Sequence, residues 1–382
     1  MMNIVFVNTL PVWGGCERWV VQVGSGLQER GHRVTVMSLP GSETENRAQE
    51  AGLHTFSLAL HLDMALWKVP GLMRFFKKNK SDVVVCVQNR DVKVAALSAK
   101  MAKVPVVLVR NGLDVIKRKL DHRLAFTRFV DGIITNAKVL RDIYMGYGWF
   151  DDDFIHVIYD GLQLPENVKS VDLNGEFDFP EGSKLIVSAG RLVEQKGFDY
   201  LVEVAAMAKR NRKDWRFVVA GTGKLEKQLN QLVAGKGVED YIKFIGFRNN
   251  VLPYMAAADL FVLTSRSEGL SSVLREAMSL GKACVATSVN GVPELFQDGR
   301  AGLMVEKHNP KAIFDGIEKV LGDAQLRSRY ERNALERIKE DFMEDVMIDR
   351  LESLFESYLY RKRDSVYNGT GTTETIVRHT EQ

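Results

Sequence analysis

Apolar residues fall in short runs, with amphipathic stretches between them. In the first half, residues 3–8, 33–39, 83–87, 105–109 and 132–135 are runs of strand length. A turn at Gly14–Gly15 follows the first run, and a helical pattern over 17–29 closes at Gly31. Strand-length runs separated by helical patterns predict parallel βαβ units, because parallel neighbours require a crossover. Around 164–183 the periodicity lapses, and Pro165, Gly175, Pro180 and Gly182 punctuate a polar stretch that predicts a linker at 166–183. The alternation then restarts. Strands are expected at 185–189, 217–220, 242–245, 260–264 and 283–287, with helices at 198–209, 224–234, 251–257 and 272–280. From Pro310 to about Arg363 the pattern is helical. RYERNALERIKEDF and MEDVMIDRLESLFESYLYRKR predict two amphipathic helices, the second ending in cations that suit a helix C-terminus. The polar, Thr-rich stretch 364–382 reads as a flexible tail.

Two consecutive sets of βα units predict an α/β protein of two Rossmann-like, doubly wound domains facing a central cleft, 1–165 and 184–342. Ligands of such sheets bind beyond the carboxyl ends of the strands. Composition narrows the partners. The 382 residues carry 52 Lys plus Arg against 49 acidic groups, a net charge of +3, which is too even for a dedicated nucleic-acid binder. The three cysteines, Cys16, Cys86 and Cys284, have no metal-ligand spacing and read as free thiols in a reducing cytoplasm. The first apolar run is too short for a signal peptide, and no run of about 18 apolar residues occurs. A cytoplasmic location is expected.

Three motifs carry candidate chemistry. Glu268-Gly269-Leu270-Ser271-Ser272 follows the strand DLFVLTS and opens a helix that includes Glu276. Amides near Ser271 and Ser272 would then point from a helix N-terminus, where unsatisfied donors and the macrodipole favour phosphate. Glu268 would sit near a sugar on that phosphate, and the two oxygens of Glu276 suit the vicinal diol of a ribose. As a plain alternative, Glu268 caps the helix and Glu276 lies on an exposed charged face. The second motif, Gly190-Arg191-Leu192-Val193-Glu194-Gln195-Lys196-Gly197, places two cations on a loop after a strand. They could embrace a diphosphate, Arg as a planar fork and Lys as a point charge, or could simply pair with surface acids. The third, Trp13-Gly14-Gly15-Cys16-Glu17, lets backbone approach a ligand or forms a plain turn into the helix. It lacks the G-x-G-x-x-G dinucleotide fingerprint, which counts against a nicotinamide enzyme.

The runs SAGRLVEQKGFDYLVEVAA, VVAGTGKLEKQL and IKFIGFRNNVLPYMAAADLFVLTSRSEGLSSVLREAMSLGKACVATSVNGVPELFQDGRAGLMV resemble the retaining glycosyltransferase family 4 with the GT-B fold. GGCERWVVQVGSGLQERGHRVTV and FIHVIYDGLQL are similar to that family too, and the likeness reaches to about Leu321. It implies transfer of a sugar from a nucleotide-sugar donor, a UDP-sugar before a GDP-sugar. The acceptor would be a saccharide or lipid-linked glycan of cell-surface polysaccharide, lipopolysaccharide or glycolipid synthesis. By that resemblance Arg191 and Lys196 contact the diphosphate, Glu276 the ribose and Glu268 the transferred sugar. Gly15, beside Gly14, closes over the diphosphate. Phe247 and Arg248 lie where the base is held, and the last helix, about 343–363, crosses back onto the first domain. Many members carry a His in the loop after the strand at 105–109. Here Arg110, Asn111 and Gly112 stand there, and Arg110 or Asn111 is the candidate on the acceptor or sugar side.

No cofactor and no metal are expected. Asp151-Asp152-Asp153 is a carboxylate cluster, but it reads as a solvated turn remote from the phosphate motifs. Residues 67–80 (WKVPGLMRFFKKNK) and Lys117-Arg118-Lys119 could touch an anionic membrane surface. Otherwise Leu72, Phe75 and Phe76 pack a helix onto the sheet. A nucleotide-sugar epimerase, which would turn over donor without acceptor, and a non-catalytic sugar-nucleotide binding protein, which would release no nucleoside diphosphate, are the rival readings.

Overall fold

The structure is a computed structural model that describes residues 1–60, 65–112 and 116–368, without the side chains of 365–368. The chain forms two compact units. The first comprises Met1–Thr135, Arg141–Ile158 and the chain from Ile348 on, and the second Asn136–Leu140 and Tyr159–Met347.

In the first unit, β1 (Asn3–Asn8), β2 (Arg33–Ser38), β3 (His54–Ser57), β4 (Val83–Cys86), β5 (Val106–Asn111), β6 (Gly132–Thr135) and β7 (Ile155–Val157) form one sheet in the order β3-β2-β1-β4-β5-β6-β7. Every pairing is parallel, with Val5 opposite Val84 and Val84 opposite Val107. Such strands must be apolar on both faces, and Val83–Cys86 are all fully buried. Helix α1 (Gly15–Glu29) covers one face, where Trp19 meets Phe6 edge-on at 5.8 Å. Helix α2 (Val69–Lys78) covers the other by burying Leu72 and Phe76 in the cluster around Val5 and Val7. The strand order reverses between β1 and β4, so the ligand crevice of this sheet lies at their carboxyl ends.

The C-terminal helix (Glu344–Asn368) buries Ile348, Leu351, Phe355 and Tyr358, a helical stripe. The Tyr358 hydroxyl donates to the Asp131 carbonyl at 3.1 Å and meets Nε2 of His156 at 2.9 Å. Glu352 meets Nε2 of His32 at 2.7 Å and Arg30 at 3.0 Å, and these hydrogen bonds hold its carboxyl below the ordinary range. The helix continues past residue 363 to Asn368, so the tail expected from 364 begins in helix, and 369–382 lie outside the described residues.

In the second unit, β8 (Lys184–Ala189), β9 (Trp215–Ala220), β10 (Ile242–Phe244), β11 (Leu260–Leu263), β12 (Cys284–Thr287) and β13 (Leu303–Val305) form a parallel sheet ordered β10-β9-β8-β11-β12-β13. Its reversal lies between β8 and β11. Helix α3 (Phe198–Arg210) buries Leu201, Val202 and Ala205, and α4 (Ser272–Ser279) buries Leu274, Ala277 and Met278. The helical tract after residue 310 divides into α5 (Pro310–Gly322) and α6 (Ala324–Asp341). Asp323 breaks it by accepting from the Gln325 and Leu326 amides at 3.0 and 2.9 Å, as an N-cap does. The polar stretch 166–183 holds a short helix, Leu173–Phe177, capped by Asp172.

Three strands have no counterpart in the apolar pattern: β3, β7 and β13. All are three or four residues long and lie at sheet edges, where one side is solvated and no buried run is needed. The apolar run at 105–109 also understates β5, which carries Arg110 and Asn111 inside the strand rather than in the loop after it.

Candidate functional site

The carboxyl edge of the second sheet is held open by glycines. Gly190, one residue past β8, has φ +153°, and a Cβ there would stand 3.3 Å from Cε of Lys196. Gly221, just past β9, has φ +144°, and a Cβ would fall 1.9 Å from the Gly190 carbonyl oxygen. No other residue fits that position. The Gly221 amide donates to the Gly246 carbonyl at 2.8 Å, tying the loops after β9 and β10 together. These loops and the start of α4 wall a pocket of about 230 Å³, lined by Gly190, Arg191, Gly221, Phe247, Arg248 and Val273 among others. Val273 is the second residue of α4, so Arg191 and the first helical turn face one space.

Ser271 precedes α4 with a non-helical backbone (φ −60°, ψ 116°) and is 4% exposed. Its hydroxyl does not cap its own helix and has no hydrogen-bond partner among the described residues. A buried hydroxyl with no partner can donate to an acceptor-rich group that enters the pocket. Ser272 is exposed at the first helical position, and Glu276 lies one turn further on, half-buried. Gly269 and Leu270 form the turn from Glu268, and a Cβ on Gly291 would fall 2.5 Å from the Gly269 carbonyl.

Lys196 and Glu268, expected to reach for different parts of a ligand, are paired with each other. Nζ of Lys196 lies 2.5 Å from Oε1 of Glu268, which also accepts from the Ser265 hydroxyl at 2.6 Å. Both side chains are largely buried, at 14% and 7% exposure. The Thr264 hydroxyl donates to the Lys196 carbonyl at 3.0 Å, and the Arg266 amide to the Gln195 carbonyl at 2.7 Å. The cation loop and the glutamate loop are thus stitched together by side-chain and main-chain bonds. Arg248 is engaged by the Tyr254 hydroxyl at 2.7 Å and by Glu176 at 3.7 Å, whereas Phe247 is 67% exposed beside it. Thr264, Ser265 and Gly221 were not singled out from sequence. Gly221 could have been, because GTG directly follows a strand.

In the first unit, Gly14 is the extended N-cap residue of α1 and Gly15 its first helical residue. A Cβ on Gly14 would lie 3.2 Å from Glu17 Oε2, whose other oxygen accepts from the Asn8 side chain at 3.0 Å. Arg110, 3% exposed, reaches Sγ of Cys16 at 3.0 Å and lies 4.9 Å above the Trp19 ring. Asn111, next along β5, therefore faces the opposite side of the sheet. It is 2% exposed, and neither its amide nitrogen nor its oxygen has a partner among the described residues. The sequence reading missed Asp91, which is fully buried just past β4. Its Oδ1 accepts from the Thr9 hydroxyl at 2.6 Å, its Oδ2 has no partner among the described residues, and burial pushes its pKa up to about 7. A polar run, QNRD, immediately after VVVCV was the available signal.

Asp152 and Asp153 lie at the surface beside Arg141 (3.4 Å) and Arg361 (3.1 Å). Among the described residues no group of three or more His, Cys, Asp or Glu is placed to hold a metal ion. Leu72 and Phe76 pack α2 onto the sheet, while Trp67 is 65% exposed and 117–119 are exposed. No helix among the described residues is long and apolar enough to cross a membrane.

Two family descriptions match, Glycosyltransferase Family 4 over residues 13–164 and Glycosyl transferases group 1 over 172–337. The lipopolysaccharide core biosynthesis glycosyltransferase LpsE of Rhizobium meliloti is 27% identical over 350 residues, covering 90% of this chain and 96% of that protein. An N-acetylgalactosaminyltransferase of Campylobacter jejuni, whose name specifies a diphospho-undecaprenol-linked acceptor, is 31% identical over 61% of this chain and 62% of its own. Among solved structures, HepE of Anabaena in complex with UDP superposes with a TM-score of 0.78 at 19% identity, covering 93% of this chain and all of that one. With both of its sheets accounted for in this way, the chain belongs to the group 1 glycosyltransferases of the family 4 type and has the GT-B fold.

Proposed function

We propose that this glycosyltransferase is retaining and metal-independent, and that it takes its sugar from a nucleoside diphosphate, a UDP-sugar before a GDP-sugar. The observation that carries the proposal is the pocket beyond β8 and β9, where Arg191 faces the first turn of α4 and the Lys196 loop is bonded to the Glu268 loop. A diphosphate leaving the anomeric carbon gains negative charge. Preorganised cations and helix-end amides aimed at that charge are the expected main source of rate. Here Arg191 and Lys196 supply the cations, α4 the amides, Glu276 the ribose contact, and Phe247 a face for the base. Glu268 Oε1 already accepts from both Lys196 and Ser265, which blunts it as a nucleophile. The leaving phosphate is therefore assigned the acceptor's proton, and a covalent glycosyl–enzyme intermediate trapped by rapid quench would refute this step.

The acceptor is proposed to be a saccharide or lipid-linked glycan of lipopolysaccharide or cell-surface polysaccharide synthesis. The names of the Rhizobium and Campylobacter relatives support that class. UDP in the Anabaena neighbour is in keeping with the donor, although that likeness speaks for the fold alone. The test is a thermal-shift screen of UDP-, GDP-, ADP- and CMP-sugars, followed by a diphosphate-release assay on the hit, with and without EDTA. Stabilisation by none of them, or release that requires added metal, would count against the reading.

A further inference from the structure

Lys196 has two claims on its ammonium. One is the diphosphate assigned to it above; the other is Glu268, 2.5 Å away. The carboxylate is 7% exposed and fixed by Ser265, so water screens it poorly and it cannot swing aside without breaking that bond. Lysine itself is held by other means. Its carbonyl accepts from Thr264, and its Cγ, Cδ and Cε pack against the bare face of Gly190, within 3.3–3.7 Å of where a Cβ would stand. Removing the charge of Glu268 should therefore leave the ammonium in place.

We infer that Glu268 is an internal competitor for the diphosphate: it shares Lys196 with the phosphate oxygens, keeps product affinity low and speeds release of the nucleoside diphosphate. This inference rests on the diphosphate reading of the same site. Two buried anions on one cation repel each other. At the few ångströms one ammonium allows and a near-surface dielectric, that repulsion is worth about one to two orders of magnitude in affinity. With the donor bound the same carboxylate would face sugar hydroxyls, which it can accept from, so the penalty would fall mainly on the product. The carboxylate would therefore discriminate donor from spent product.

Glu268→Gln tests this, because the amide oxygen still accepts from Ser265 and Lys196 and only the charge is lost. UDP affinity and dissociation rate are measured by calorimetry and stopped flow for the wild type, Glu268→Gln, Lys196→Ala and the double variant, with uridine as a probe that lacks phosphate. The expected result is UDP binding about tenfold to a hundredfold tighter in Glu268→Gln, with slower release and unchanged uridine affinity. The gain should disappear when Lys196 is also replaced. Unchanged or weaker UDP binding in a Glu268→Gln protein that melts like the wild type overturns the inference. If Lys196→Ala does not weaken UDP binding in the first place, the diphosphate site itself falls, a separate result that also removes the competitor.

Discussion

Replacing Asp91 by Asn should stabilise the protein at neutral pH and leave it nearly unchanged in acid. The carboxyl is fully buried, and the Thr9 hydroxyl, the nearby Arg90 and the backbone of Thr9 and Gln88 favour its charge. Desolvation dominates and raises its pKa from the ordinary 3.8 to about 7. Cys86, beside it, is buried and pushed well up, so it stays a thiol across this range. The sign follows from proton counting. Between about pH 4 and 7 the unfolded chain holds Asp91 ionised while the folded chain keeps it protonated, so folding takes up a proton and stability falls as pH rises. The full span is worth about 4 kcal/mol at 1.36 kcal/mol per unit. Asn keeps an oxygen for the Thr9 hydroxyl and has nothing to ionise. Its advantage should be near zero at pH 4 and reach about 4 kcal/mol at pH 8, roughly 8–16 °C in melting temperature for a unit of this size. Tryptophan fluorescence is the assay, because Trp13, Trp19, Trp67 and Trp149 lie in the first unit and Trp215 alone in the second. A melting difference that stays flat from pH 4 to 8 would mean that Asp91 is ionised and paired in the folded protein.

Lys196→Ala should abolish turnover, a loss of at least about 10²–10³ in rate, whereas Glu276→Ala should abolish donor binding; diphosphate release and calorimetry separate the two. Gly221→Ala forces a Cβ into the Gly190 carbonyl at a left-handed φ, so it should cost about 3 kcal/mol and lower the melting temperature of the second unit. Exposed Trp67, the cations of 74–80 and Lys117-Arg118-Lys119 should bring the protein down with anionic vesicles at low salt and release it at high salt; no co-sedimentation at low salt would remove the membrane contact.

The central strands were legible because parallel strands buried on both faces must be apolar throughout, as 83–87 and 260–264 are. The loops at the strand ends of the second unit were legible for a related reason. A strand end followed by Gly, Ser or a cation and then a helix is a local pattern, so Gly190 to Gly197 and Glu268 to Ser272 could be picked out with no knowledge of their neighbours. Edge strands such as β3 and β13 could not, because half of each faces water and imposes no pattern.

What the chain alone determined, then, was the alternation of strands and helices, the two-unit α/β class, and the residue types offered at the strand ends. Each of these is set by neighbours a few positions apart. Only the tertiary structure decided who meets whom. Lys196 and Glu268 are 72 residues apart in sequence and 2.5 Å apart in space, and Asp91 is brought to Thr9 across 82 residues. Charge pairing and desolvation depend on spatial distance and on what excludes water, and neither quantity is written in local order. That is why a lysine and a glutamate read separately as ligand contacts prove to hold each other, and why the most perturbed aspartate passed unnoticed.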